Sequence, residues 1–238
     1  AELHVGNATG LPTSFGGTGI SIVPVTRGQW ATTTLESWRP LFERLAGSLT
    51  PPAPPTSPDP SDPLSFMAPL MAMMGPMMMG MTAGSMVGHL SRRSFGQYDL
   101  PVPRIAKDDV MVIPANFESF ASEWSIPADD LRLWVCAQEI AMHSVLRIPH
   151  VRATVEEFLS AYAAGFEPDP NALGDRLGSM EFDMSDPSSM SGMQSMFGDP
   201  ELLLGAIQSQ AQRDMLPKFE ALIAAMVGYV DHIVDAVG

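Results

Sequence analysis

Residues 131–143 read Leu-Arg-Leu-Trp-Val-Cys-Ala-Gln-Glu-Ile-Ala-Met-His, a mostly apolar run in which Gln138, Glu139 and His143 fall in the second half. On a helix, residues four apart share a face. Two histidines so spaced aim both imidazoles at one zinc ion, and a glutamate beside the first acts as base toward the metal-bound water. Here Glu139 stands where that base belongs, while the two spaced positions hold Gln138 and Met142. An amide oxygen is a weak zinc ligand, and a thioether prefers softer ions. The pattern keeps the base and lacks the grip.

A rearranged metal site is a second reading. Glu139 and His143 are four apart, and Asp231, His232 and Asp235 could approach them from the final helix. Against it stands a plainer reading of His143 as a polar surface or capped core residue. His150 follows Pro149 and fits the start of the next helix, and His4 and His89 have no carboxylate or histidine neighbours. Cys136 sits in the apolar run and reads as a buried thiol rather than a nucleophile. No G-x-S-x-G motif occurs, and Gly16-Gly17-Thr18-Gly19 lacks the Lys-Ser/Thr of a phosphate loop.

The elements that must position these groups are mostly helical. Residues 131–148 form the helix carrying the motif, with Asp129 and Asp130 favouring its start and Pro149 ending it. Residues 26–46 place Trp30, Leu35, Trp38, Leu41, Phe42 and Leu45 on a helical stripe. Further helices are expected over 116–124, 151–166, 201–212 and 215–237, the last with a wide apolar face. Short strands are expected at 19–25 and 110–114, and residues 91–103 turn the chain. The fold class is mainly α, with one or two short strands in the N-terminal half.

Two stretches interrupt this pattern. Residues 51–63 hold seven prolines, which suits an extended linker between an N-terminal strand and helix (1–49) and the helical remainder (64–238). Residues 63–91 contain no Asp, Glu, Lys or Arg, and nine methionines fall between Met67 and Met86. Gly80, Gly84 and Gly88 would lay a smooth strip along one helix face, suited to packing against another helix. A Met-rich helix over 64–91 thus reads as a buried or self-associating element. Membrane contact and soft-metal binding by the thioethers are the competing readings. Residues 167–199 read as a long loop. One domain overall is expected.

Composition narrows the partners. The 238 residues carry 27 acidic and 13 basic side chains, a formal charge of -14. Such a surface repels phosphate backbones, so nucleic acid is not expected to bind. A single cysteine excludes an intrachain disulfide framework. Residues 1–10 lack the basic-then-apolar pattern of a signal peptide, which points to the cytoplasm, in a chain whose first residue is not methionine.

Residues 90–101, 112–116 and 129–134 resemble a bacterial zincin-like family of hydrolases or zinc-dependent metalloproteases of unknown function. Some of its members are associated with deazaflavin coenzyme biosynthesis. The likeness continues through residues 145–152, 220–222 and 230–238. In metal-binding members the helix reads His-Glu-x-x-His, and a later Glu-Gly-His supplies a third ligand. The resemblance puts Gln138 and Met142 at the histidine positions and Tyr229, in Val227-Gly228-Tyr229, at the third. It implies a zincin-like helical domain with a vestigial base, Glu139, at a degenerate site.

Three functional readings follow. In the first, the chain has lost zinc-dependent hydrolysis, carries no cofactor and binds a protein or small ligand as a scaffold. In the second it is an active metallohydrolase with a rearranged zinc site. In the third it is an oligomeric or membrane-associated structural protein built on the Met/Gly-rich helix.

Overall fold

The computed structural model describes residues 1–14, 19–49, 80–105, 107–166 and 209–237. The proline-rich stretch, the first part of the Met-rich segment, the expected loop at 167–199 and most of the expected helix at 201–212 lie outside them. The chain divides into two compact units, residues 1–40, 83–159 and 217–238, and residues 41–82 and 160–216. Two of the boundaries fall at Pro40 and Pro217, prolines inside helices, where the missing N–H breaks the hydrogen-bond ladder.

In order, the described elements are α1 (Glu2–Thr9), β1 (Ser21–Pro24), α2 (Arg27–Leu49), α3 (80–90), β2 (Asp109–Val112), α4 (Pro114–Trp124), α5 (Ala128–Leu146), α6 (Pro149–Ala164) and α7 (Gln210–Val237). The mainly helical class and both strands agree with the sequence reading. Helix α1 does not: residues 1–10 carry little apolar periodicity, and only Val5 is buried. Its support is tertiary. Val5 enters the main core, and the Glu2 carboxylate accepts hydrogen bonds from Thr13 Oγ1 (2.8 Å) and the Ile20 amide (3.1 Å). Gly10 closes the helix in the left-handed region (φ 64°), a conformation glycine reaches without steric cost.

Strands β1 and β2 pair in parallel, with Ser21 opposite Asp109 and Val23 opposite Met111. Helix α5 lies against this pair and contributes the centre of the larger core. There Ala137, Ile140, Ala141, Met142 and Val145 meet Val110, Val155 and the α7 residues Met226, Val230, Ile233 and Val234. A second cluster joins Val112, Phe117, Ala121, Leu131 and Val135. Pro114 opens α4 at the position where a missing N–H costs nothing. The buried Asn116 then ties the 91–94 turn: its Nδ2 donates to the Ser91 and Ser94 carbonyls, and its Oδ1 accepts from Arg27 Nε.

In the other unit, Gln212 is fully buried. Its Nε2 donates to the Tyr162 carbonyl at 2.6 Å, and its Oε1 accepts the Ser209 amide at 2.9 Å.

An added Cβ at Gly80, Gly84 or Gly88 would meet nothing within 4 Å. Among the described residues no atom of another element lies that close to the strip. No helix among the described residues is long and apolar enough to cross a membrane.

Candidate functional site

Glu139 faces inward from α5 and is only 3% exposed. A buried carboxylate needs donors, because its desolvation is costly unless hydrogen bonds replace water. The 96–98 segment supplies them. The Gln97 amide donates to one oxygen at 2.8 Å, and the Tyr98 amide donates to both, at 2.9 and 3.1 Å. The carboxyl lies so close to Gly96 that any Cβ there would overlap it. Glycine at 96 is thus a condition of this contact. Burial, with the nearby Asp99 charge adding to it, still holds the Glu139 carboxyl well above the usual carboxylate range, despite the two amides and Arg104 pulling it down.

The same segment is fixed from other sides. The Gly96 carbonyl accepts Trp30 Nε1 at 2.7 Å, and the Gly96 amide donates to Asp99 Oδ2 at 2.7 Å. Gln97 Oε1 accepts the Met111 amide of β2 (3.3 Å), and the Gln97 carbonyl accepts Arg104 Nε (3.2 Å). One short loop therefore joins α5, α2, β2 and Arg104.

One turn beyond Glu139, His143 is also buried, so the core rather than the surface is its place. Its Nδ1 lies 2.9 Å from the Tyr98 hydroxyl and its Nε2 lies 3.7 Å from Asp108 Oδ1. Burial pushes the imidazole pKa down and the Tyr98 phenol up to about 12, so both are neutral near pH 7. Glu139 and His143 share α5, and Tyr98 touches both, through its amide and its hydroxyl respectively.

The remaining positions do not join them. Gln138 is half-buried, whereas Met142 is 3% exposed and belongs to the apolar core beside Met226 and Val230. Tyr229 is 40% exposed on α7. Asp231, His232 and Asp235 are exposed as well, because α7 turns Met226, Val230, Ile233 and Val234 inward instead. Among the described residues no group of three or more His, Cys, Asp and Glu side chains is placed to hold a metal ion. A half-buried amide, a core thioether and an exposed phenol are not a zinc donor set. The residues present do not fit the ion.

Sequence reasoning missed Gln97, Tyr98, Trp30 and Arg104 as parts of this constellation. Gln97 and Tyr98 act on Glu139 through backbone amides, which leave no trace in residue type. Gly96 carried the only available signal, a glycine at a close approach. Arg104 follows a proline-rich turn, with no periodicity to mark it as buried.

No curated protein and no solved structure matches the chain. A glutamate-bearing helix packed against a small parallel strand pair is nevertheless accompanied by a match over residues 1–238 to the family described as zincin-like metallopeptidase, and the chain belongs to that family.

Proposed function

We propose that this family member has lost zinc-dependent hydrolysis and acts by binding a ligand on the retained scaffold. The observation that carries the reading is the state of Glu139. A general base must reach a metal-bound water, whereas this carboxylate is sealed in the protein with its oxygens committed to two backbone amides. Met142, at the second ligand position, is core filling, and such packing leaves little room for an ion. Glu139 is in this reading a structural group that shapes the 96–98 loop.

The test is metal content together with turnover. Protein purified after growth in zinc-supplemented medium is expected to carry far less than one zinc per chain. It is also expected to show no peptide hydrolysis that a chelator or Glu139→Gln abolishes. Zinc near one per chain, or chelator-sensitive hydrolysis lost in Glu139→Gln, would overturn the proposal.

A further inference from the structure

Arg104 is a buried cation whose terminal guanidinium nitrogens lack hydrogen-bond partners. It is 4% exposed, and its guanidinium lies between two indoles, 5.1 Å from the Trp30 ring centroid and 5.5 Å from that of Trp38. That placement holds the guanidinium plane and adds cation–π attraction. Only Nε has a partner, the Gln97 carbonyl. Nη1 and Nη2 are buried without a hydrogen-bond partner, and so is Trp38 Nε1. Three buried donors around one cation, with no acceptor between them, are costly unless something accepts from them. Burial pushes the Arg104 pKa down to about 10, which leaves the group charged at neutral pH.

Arg104 also lines a cleft of about 340 Å³ between α2 and the strand pair. Val23, Val25 and Met111 form an apolar wall, and Thr33 and Ser37 of α2 face it with hydroxyls. The volume suits a small organic molecule. A fork of two guanidinium nitrogens matches the two oxygens of a carboxylate in geometry. Glu36 and Asp109 line the same cleft and balance Arg104 and Lys107 in charge, so it holds no surplus positive charge for a phosphate dianion. An apolar wall beside the fork suits a hydrocarbon body.

We propose that this cleft binds a small monocarboxylate with an apolar body, whose entry opens the buried, unpartnered guanidinium nitrogens of Arg104 beside Trp30 and Trp38 to its carboxylate. The Glu139-bound loop is what positions it: Gln97, held by Glu139 at its amide, holds Arg104 at its carbonyl. This deepens the binding reading above and rests on it, but the two fail separately. Zinc-dependent turnover would overturn that reading, whereas a carboxylate that does not bind overturns only this one.

The experiment is calorimetric titration of the full chain with hexanoate and benzoate, each beside its neutral amide, and with inorganic phosphate. Saturable binding of a carboxylate, with its amide and phosphate at least about tenfold weaker, is the expected result. Arg104→Lys keeps the charge but not the fork and is expected to weaken binding by about tenfold or more. Thr33→Trp fills the cleft from an exposed helix position and should abolish binding in a protein whose fold is checked by circular dichroism. Absence of binding by both acids would overturn the inference. So would equal binding of acid and amide, phosphate binding as tight as carboxylate, or unchanged affinity in folded Thr33→Trp.

Discussion

The Glu139 carboxylate and the Arg104 guanidinium are both buried against residues 96–98, yet the chain treats them differently. Glu139 is given two backbone amides and the close approach of Gly96, so its oxygens are in use. Arg104 is given one carbonyl and two aromatic faces, and two of its three nitrogens are left without acceptors. Buried polar groups that serve the fold are saturated by the fold. A group that is carried into the interior and left part-served is available to something else. On the function proposed above, the difference separates a residue retained for architecture from one poised for a ligand, and it reverses the roles that residue type alone suggests, since glutamate is the familiar catalytic group.

The strongest way to break this comparison is Gly96→Ala. The new methyl would collide with the Glu139 carboxyl and shift the carbonyl that accepts Trp30 Nε1. A cost of about 3 kcal/mol in urea denaturation is expected, from overpacking plus a weakened buried network. A loss below about 0.5 kcal/mol would mean the loop does not bind the two charges into one unit.

A second, smaller effect separates the two charges by pH. The Glu139 pKa is raised in the folded protein, so the native state keeps its proton where the unfolded chain has released it. Its contribution to stability is therefore full below the ordinary glutamate range and is lost as pH climbs through the raised native value. Arg104, at about 10, does not titrate there. Relative to Glu139→Gln, the wild-type protein is expected to lose about 1.4 kcal/mol per pH unit within that window. Urea midpoints compared between pH 4 and 8 measure it, and parallel profiles for the two proteins would remove the buried carboxylate from the account.

Gly84→Ala is the mild counterpart of Gly96→Ala. It adds the same methyl to a helical glycine with open space around it. Stabilisation of up to about 1 kcal/mol by thermal melting is expected from helix propensity alone. Destabilisation there would reveal a contact on the α3 strip that the described residues do not supply.

Much of this scaffold was legible in the sequence. Helices α2, α4, α5, α6 and α7 and both strands announce themselves through apolar spacing, because each buries one face. Pro114 and Pro149 punctuate them for reasons that are local. Helix α1 stayed hidden because Val5 alone among its residues is buried and Glu2 acts across the chain. At the site, the replacements Gln138 and Met142 were visible as residue types. The fate of Glu139 was not, since its partners are peptide amides and any residue but proline at 97 or 98 would have offered the same. Arg104 was equally silent: what marks it is the absence of partners, a property of three-dimensional arrangement.

The parallel pairing of β1 with β2 also sets an order of assembly. Residues 21–24 emerge early in synthesis but wait for 109–112, and the apolar bed around Met142 waits longer still, for Met226 to Val234. Contacts so distant along the chain form late and slowly. A nascent chain therefore exposes the apolar inner face of α5 until α7 is made, and the intermediate without α7 is the form most open to chaperones and to aggregation.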